Sequence, residues 1–364
     1  MKTFTALLFA MATSLTFVGP ASALDEDGSN SLVKLSGAVG DGIADDTFSF
    51  QQAFAKAAAG GYVVLPEGHF KLTGTIVITK PVIIVGKGFS TQIFITNNQT
   101  MFQFVNVNNS AIRDVYLGSD SSTGHLIEFI NSHHNQINNV TMLGGNYGLH
   151  LKGSLLNTII DLRSGTNFQG FFAPTSINKV WVYAEPYGGI SANANTFIAP
   201  VLEGGTNGIV LTDGNGQGSL HIVGGAIEGL SGTGFTFQGT FLPSSITGTH
   251  FEANGVADVA IVGSSNIRIT AIASLPNATS SGLTLISVTG DSRNVQLTDS
   301  LITSIAVANT TKRVQLQNIT FGIAANYGAY LTNVRLPLPL STTNPIGALV
   351  NITAFNVGNY GAAE

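Results

Sequence analysis

The chain of 364 residues contains no cysteine, and only 10% of its residues are charged. Without cysteine there are no disulfide bonds, so packing and hydrogen bonds must hold the fold together. The charged fraction is far below the roughly 25% of an ordinary globular protein. The net charge is −5, and the chain therefore lacks the basic face that binding of phosphate backbones requires. These scarcities argue against nucleic acid as a partner.

Long apolar runs are scarce as well, and the notable one lies at the start of the chain. It extends from Phe4 to Val18, follows Lys2, and precedes the small residues Ala21-Ser22-Ala23. This is the layout of a secretory signal peptide, and the run is too short and too polar for a comfortable membrane span. We therefore assign residues 1–23 to a signal peptide and predict a secreted or periplasmic protein without a membrane segment.

Helical periodicity is limited to one early stretch, "TFSFQQAFAKAAA", which predicts a helix over 46–59. Asp45 or Asp46 can cap its start, and Gly60-Gly61 can end it. We expect this helix to cover the amino end of the structure that follows. Its apolar stripe consists of Phe50, Ala53, Phe54 and Ala57.

The remainder of the chain is rich in glycine and in short β-branched segments that repeat. The segment "AIRDVYLG" at 111–118 returns 25 residues later as "QINNVTMLGG" at 136–145. Such a period, without helices, indicates a solenoid in which each repeat is one coil, while the Leu-x-x-Leu-x-Leu frame of leucine-rich repeats is missing. The predicted fold is all-β, a single-stranded right-handed parallel β-helix with an N-terminal capping helix. The repeat places Ile112, Val115 and Leu117 opposite Ile137, Val140 and Met142.

These patterns divide the mature chain into three parts. Residues 24–90 form the N-terminal cap and first coils, 91–335 the parallel β-helix, and 336–364 a C-terminal closing segment. The last part begins where "RLPLPLSTTNP" breaks the repeat, because proline cannot donate to a strand ladder. The sequence leaves open whether three such solenoids assemble as a homotrimer.

The segment 37–78 carries four motifs close together: Gly40-Asp41-Gly42, Asp45-Asp46-Thr47, Gln51-Gln52-Ala53 and Leu65-Pro66-Glu67-Gly68. This segment resembles the N-terminal cap of the pectate lyase superfamily, and more narrowly that of rhamnogalacturonase/epimerase-like β-helix proteins. The resemblance implies a carbohydrate-directed β-helix but no particular chemistry, because the same cap precedes hydrolases, lyases, epimerases and phage tailspikes. The Asn-Thr-Asp, Asp-Asp, Gly-His-Gly and Arg-Ile-Lys motifs of polygalacturonases are absent in that order.

Three later repeats each carry a glutamate directly after a large apolar residue. These glutamates are Glu203, Glu228 and Glu252, separated by 25 and 24 residues. If the apolar neighbours point inward, alternation turns the glutamates outward onto one face, about 5 Å apart per coil. Glycosidase carboxylates lie roughly 5–5.5 or 6.5–9.5 Å apart, so we hypothesise that these residues are catalytic. The alternative is a turn residue that the repeat copies without chemistry. The inward neighbours are Leu202, Ile227 and Phe251.

The surroundings of these glutamates are acidic, since no Lys or Arg occurs between Lys179 and Arg268. Such a face would repel a polyuronate unless Ca²⁺ bridged the charges. Hydrolysis of a neutral or mildly charged glycan is therefore favoured, and it needs no cofactor. Aromatic side chains upstream offer a sugar platform, although core packing is their competing explanation. The candidate substrate-binding residues are Trp181, Tyr183, Tyr187, Asp213 and His250.

Three functions follow in order of preference. The first is an exported glycoside hydrolase that cleaves within a polysaccharide. The second is a non-catalytic glycan-binding or structural surface β-helix protein. The third is a polysaccharide lyase or epimerase that uses Ca²⁺ on the acidic face.

Overall fold

The computed structural model describes residues 32–164, 179–275, 286–302, 304–307, 314–317, 320–321 and 330–332. Within them the chain forms one α-helix and 32 short strands, and every ladder between strands is parallel. The first elements are β1 (Leu32–Lys34), β2 (Asp41–Asp45), α1 (Thr47–Lys56), β3 (Gly61–Val64), β4 (Gly68–Leu72), β5 (Ile76–Ile78), β6 (Val82–Val85), β7 (Thr91–Ile95), β8 (Phe102–Val105), β9 (Ala111–Ser119), β10 (His125–Ile130), β11 (Gln136–Gly144), β12 (Tyr147–Lys152), β13 (Thr158–Ser164), β14 (Val180–Glu185), β15 (Asn195–Ile198) and β16 (Val201–Glu203). The later elements are β17 (Asn207–Gly216), β18 (Leu220–Val223), β19 (Ala226–Glu228), β20 (Thr233–Thr240), β21 (Ser244–Thr247), β22 (His250–Glu252), β23 (Ala257–Val262), β24 (Ser265–Thr270), β25 (Ala273–Leu275), β26 (Ile286–Thr289), β27 (Arg293–Thr298), β28 (Leu301–Ile302), β29 (Ser304–Val307), β30 (Val314–Gln317), β31 (Thr320–Phe321) and β32 (Tyr330–Thr332).

The strands are arranged in three faces that the chain visits in rotation, which is the architecture of a parallel β-helix and confirms the predicted fold. In the middle of the chain, for example, β15, β16 and β17 belong to the first, second and third faces, and β18 returns to the first. The long strands β9, β11 and β13 pass from the first face to the second. They bend at residues with positive φ, namely Asp114, Asn139 and Asp161.

The core is a column of apolar side chains stacked from coil to coil. As predicted, Ile137, Val140 and Met142 lie in register with Ile112, Val115 and Leu117. All six are at most 2% exposed. Full burial of each such side chain contributes about 1.5–3 kcal/mol, so the repeat itself supplies the stabilising free energy.

Helix α1 closes the amino end of this column, as expected. It packs against β5, and the ring of Phe54 also lies 6.1 Å from that of Phe102 on β8. The helix spans Thr47–Lys56 and is shorter than the predicted 46–59. It ends early because Ala57 has extended backbone angles, with φ −61° and ψ 137°.

The predicted capping of α1 is only partly correct. Asp46 occupies the N-cap position, but its side chain makes no hydrogen bond to the helix. Its carboxylate instead accepts hydrogen bonds from the backbone of Val39 at 2.6 Å and Gly40 at 3.2 Å. The Asp45 carboxylate accepts the N–H of Thr47, at 3.0 Å. Asp46 therefore holds the loop that precedes the helix, and Asp45 holds the first turn.

A row of buried asparagines satisfies the backbone at the turn between the third and first faces. The N–H of Ser110 donates to Oδ1 of Asn135 at 2.8 Å, and the N–H of Asn135 donates to Oδ1 of Asn157 at 2.8 Å. Asn195 continues the row with an Oδ1 that accepts the Asn157 N–H at 3.1 Å. The three asparagines are 0% exposed, so water cannot replace these bonds.

Replacing Asn157 by alanine should lower the free energy of unfolding by about 2 kcal/mol, because the buried N–H of Asn135 would lose its acceptor. Urea denaturation followed by circular dichroism measures the change. Asn215 is exposed, and its replacement by alanine is the matched control, with an expected change below about 0.5 kcal/mol. Equal losses in the two variants would contradict this account.

None of the described residues forms a helix with the length and apolarity needed to cross a bilayer. The predicted signal peptide, residues 1–23, and closing segment, residues 336–364, lie outside the described residues. The parallel ladders begin at β1 and already include the segment 32–90, which the sequence predicts to be the cap and first coils.

Candidate functional site

The three repeated glutamates lie side by side on the second face. Each ends a strand, and the register pairs Glu203 with Glu228 and Glu228 with Glu252. Their inward neighbours are 0% exposed, so the glutamates point outward, and adjacent ones are about 4.8 Å apart along the coil axis. We call Glu203, Glu228 and Glu252 the glutamate row. The inward neighbours are Leu202, Ile227 and Phe251.

His250 joins the glutamate row from the same strand as Glu252. Its Nε2 lies 3.1 Å from Oε2 of Glu252 and 3.9 Å from Oε2 of Glu228. The side chains of His250, Glu228 and Glu252 are 37%, 33% and 47% exposed. A ligand on the second face can therefore reach all three.

The middle carboxyl of the row differs electrostatically from an isolated glutamate. Partial burial raises the pKa of Glu228, and the charges of Glu203 and Glu252 raise it further, while His250 acts in the opposite direction. A hydrogen bond shared with Glu203 also favours the protonated form. Glu228 thus keeps its proton to a higher pH than usual, as a general acid requires.

A buried aspartate lies behind the second face. Asp258 is 0% exposed and accepts hydrogen bonds from Nδ2 of Asn254 at 2.7 Å and Oγ of Ser274 at 2.5 Å. Burial raises the pKa of Asp258 to about 6, although both donors and the charge of His250 lower it. The protonation of Asp258 is therefore coupled to the charges of His250 and Glu252.

Two predicted substrate contacts are wrong, because the residues lie in the interior. Trp181 is 1% exposed, and its Nε1 donates to the carbonyl of Gly204 at 2.8 Å. The indole anchors the turn after Glu203 and offers no ring face to a sugar. Asp213 is also 1% exposed, and its Oδ1 accepts the N–H of Asn215 at 2.9 Å. It serves the turn, as short polar residues commonly do.

The two tyrosines do not share a face with the glutamate row, contrary to the expectation of a platform beside it. Tyr183 lies on the third face, where its ring stacks on that of Tyr147 with centroids 4.7 Å apart. Tyr187 follows β14 and is 47% exposed, with Nζ of Lys152 5.0 Å from the ring centroid. A role for either ring in binding a glycan stays a prediction for the third face.

The third face carries a polar cluster that the sequence analysis missed. Nε2 of Gln103 donates to Oε2 of Glu128 at 2.7 Å, while Oε1 of Glu128 lies 3.2 Å from Nδ1 of His150. Nε2 of His150 lies 3.0 Å from Oε1 of Glu185. With His125, whose ring meets that of His150 edge-on at 4.8 Å, these residues form what we call the third-face cluster. Glu128 and His150 are 5% and 4% exposed.

The environment of this cluster shifts the pKa values of His125 and Glu128. Burial, supported by the neighbouring His150, lowers the pKa of His125 to about 4, so this imidazole is neutral at pH 7. Burial opposes ionisation of Glu128, yet the adjacent His150 and the hydrogen bond from Gln103 lower its pKa to about 2. The cluster therefore combines a neutral imidazole with a carboxylate.

A signal for the cluster is present in the sequence. Aligning "HLIEFI" at 125–130 with "YGLHLK" at 147–152 brings Glu128 opposite His150, which is the observed register. The glutamate row repeats one residue type, whereas here different residue types occupy equivalent positions of neighbouring coils. A search by repeat position instead of by residue identity would have found the pair.

Among the residues that the structure describes, two groups of side chains have ligand atoms close enough to hold a metal ion. They are His125, Glu128 and His150 on the third face, and Glu228, His250 and Glu252 on the second, with atoms within 4.8 Å in each group. The first contains two imidazoles in a buried setting and suits a transition metal. The second is exposed and carries two carboxylates.

Comparison with known proteins agrees with this architecture. Residues 32–272 match the family model described as rhamnogalacturonase A/epimerase, pectate lyase-like. No curated protein sequence matches the chain. Among solved structures, ORF18 of Geobacillus virus E2 is similar with a TM-score of 0.63 and 18% identity, over 82% of this chain and 60% of that one. The chain thus spans less than two thirds of that protein.

Two further structures with similar folds are an epimerase module and a surface adhesin. The A-module of mannuronan C-5 epimerase AlgE6 from Azotobacter vinelandii has a TM-score of 0.54 and 14% identity, over 85% of this chain and 100% of that one. The Streptococcus pneumoniae surface protein and adhesin PfbA has a TM-score of 0.53 and 15% identity, over 82% and 99%. At these identities the likeness concerns the fold alone. Since the family model covers most of the described chain, the protein belongs to the rhamnogalacturonase A/epimerase, pectate lyase-like family, as its N-terminal cap predicts.

Proposed function

We propose that this protein acts on a polysaccharide and that the glutamate row hydrolyses it. The observation that carries the proposal is the alignment of three outward carboxylates on consecutive coils, with Glu228 in the middle and its pKa raised. Glycoside hydrolysis needs one carboxyl that stays protonated and one that stays ionised. Membership in a family named for a rhamnogalacturonase and an epimerase supports carbohydrate as the substrate class.

The roles follow from the environments of the carboxyls. Glu228 is the general acid and protonates the departing glycosidic oxygen. Glu252, which His250 contacts at 3.1 Å, is the carboxylate that attacks or stabilises the sugar cation. Adjacent coils separate the two by about 4.8 Å, which corresponds to the roughly 5–5.5 Å of retaining enzymes rather than to the wider inverting spacing.

The charge of the second face restricts the glycan. Residues 180–267 include no Lys or Arg, so a polyuronate would meet uncompensated negative charge there. A neutral or mildly charged chain, bound without a metal cofactor, suits this face better. We retain export through residues 1–23 as part of the proposal, because this segment has the layout of a signal peptide.

A panel of neutral and acidic polysaccharides tests the proposal through the products formed. New reducing ends from a neutral glycan, with retention of anomeric configuration by NMR, are the expected result. Products that absorb as unsaturated uronates, and that disappear with a chelator, would replace hydrolysis by a Ca²⁺-dependent lyase reaction. Binding to a glycan without any product would make the protein a non-catalytic surface β-helix protein. Light scattering on the same sample shows whether three chains assemble as a homotrimer.

A further inference from the structure

The third-face cluster contains a close contact between two hydrogen-bond acceptors, Nδ1 of His150 and Oε1 of Glu128. Two acceptors with nothing between them repel each other. Nε2 of His150 lies 3.0 Å from Glu185 Oε1, and donation of its proton to that carboxylate leaves Nδ1 with a lone pair. This lone pair lies 3.2 Å from Oε1 of Glu128, inside the structure, where His150 is 4% exposed. A proton on Nδ1 or a bound cation would remove the repulsion between this lone pair and the carboxylate.

A proton on Nδ1 of His150 does not fit this geometry well. Despite the 3.2 Å separation from Glu128, Nδ1 has no hydrogen-bond partner among the described residues, so an N–H there would point beside the oxygen. Nδ1 of His125 is likewise buried and without a hydrogen bond within the described part of the chain. One ligand atom from each of His125, Glu128 and His150 lies within 4.8 Å of the other two.

We propose that His125, Glu128 and His150 form a binding site for a divalent transition metal, with zinc as the best-suited ion. Zinc lies about 2.0–2.1 Å from imidazole nitrogen and 2.0–2.2 Å from carboxylate oxygen. An N···O separation of 3.2 Å then subtends about 100° at the metal, close to tetrahedral. His125, whose ligand atom lies within 4.8 Å of the others, completes the set by a small ring movement.

Neighbouring residues hold each ligand in the orientation that a metal needs. Glu185 accepts the proton of His150 and so aims Nδ1 at the site, which is the carboxylate–histidine–metal arrangement of many zinc proteins. Gln103 donates to Oε2 of Glu128 and leaves Oε1 for the metal. The two carboxylates of Glu128 and Glu185 balance the double charge of the ion. The three ligands come from β10 and β12, two paired strands of adjacent coils.

Aromatic rings enclose the site and lower the local dielectric. The imidazole of His125 stacks on Tyr147 with centroids 4.7 Å apart and an interplanar angle of 5°. Tyr183 lies tilted against His150 at 5.6 Å. Three protein ligands leave a fourth tetrahedral position for water or a ligand group. The site is separate from the glutamate row, so its existence does not depend on the proposed hydrolysis.

Calorimetric titration of the chelator-treated full chain with Zn²⁺ tests this proposal, and Co²⁺ absorbance reports the geometry. The wild type should bind one ion per chain, with the intense visible bands of tetrahedral Co²⁺. His150→Gln should abolish this binding, and Glu185→Ala should weaken it roughly 10- to 100-fold. His221→Gln is the matched control, because this half-buried histidine lies on the first face and contacts Ser245; its affinity should stay at the wild-type value.

Two results would overturn the site. One is the absence of stoichiometric binding to the wild type, which requires no variant to fold. The other is unchanged binding in His150→Gln with loss in His250→Gln, which would place the ion at Glu228, His250 and Glu252. Circular dichroism of each variant separates loss of a ligand from loss of the fold.

Discussion

Replacing Glu228 by glutamine is expected to lower the rate of polysaccharide hydrolysis by roughly 10²–10⁴-fold, the usual contribution of a general acid. Glutamine keeps the size of the side chain but carries no transferable proton. Because Glu228 is outward and 33% exposed, the melting temperature should change little. The release of reducing ends, measured beside a thermal melt, separates the chemical effect from a structural one.

The other members of the row decide how this result is interpreted. Glu252→Gln should also remove activity, since it takes away the ionised partner, whereas Glu67→Gln is the control for loss of an exposed glutamate in the cap. The pH profile supplies a second test. The rate should fall as pH rises through the raised pKa of Glu228, because its acid form is lost. Undiminished activity in Glu203→Gln, Glu228→Gln and Glu252→Gln together would eliminate the glutamate row as the site.

Replacing Asp258 by asparagine should make the protein more stable above pH 6, by up to about 3 kcal/mol. The folded pKa is about 6 against a reference of 3.8, and about 1.4 kcal/mol corresponds to each pKa unit. Since the folded state binds the proton more tightly, the free energy of unfolding decreases as pH rises from about 4 to 6 and stays low above that. Asparagine avoids this loss because it remains neutral.

Urea denaturation at pH 4, 6 and 8 measures the difference between wild type and Asp258→Asn. The two should be similar at pH 4, where both side chains are neutral, and should diverge toward pH 8. Asparagine can still accept from Asn254 and can donate to Ser274, whose hydroxyl now bonds Oδ2 at 2.5 Å. Asp258→Ala leaves both partners unpaired and should be destabilised at every pH. A difference between wild type and Asp258→Asn that does not change with pH would refute the shifted pKa.

The glutamate row shows which side-chain positions can be predicted from repeat spacing alone. The inward positions of Leu202, Ile227 and Phe251 could be read from alternation, and the register of the adjacent glutamates then followed from the coil period. This inference works because parallel coils stack directly on one another, so equivalent repeat positions become neighbours in space. His250 precedes the inward Phe251, so the same alternation turns it outward, where it contacts Glu252.

The positions of the aromatic side chains could not be predicted from repeat spacing. Trp181 and Tyr183 are two residues apart, but one ring is buried under the turn after Glu203 and the other lies outside on the third face. Alternation within β14 would put both side chains on the same side, but it fails at the start of this strand, where Val180, Trp181 and Val182 are all buried. Periodicity also does not tell which of three faces a strand occupies. Position around the coil depends on the lengths of the turns, which vary along this chain.

The sequence by itself determined the parallel β-helix, the capping helix at its amino end and the alignment of the glutamates, because these depend on local periodicity and on stacking at a constant interval. The tertiary structure alone decided which polar residues meet across faces and how deeply they are buried. It placed Trp181 and Asp213 inside the column, Asp258 behind the glutamate row, and His125, Glu128 and His150 together. Burial and proximity between different residue types depend on the path of the whole coil, and these two quantities set the pKa values and ligand geometry on which the chemistry depends.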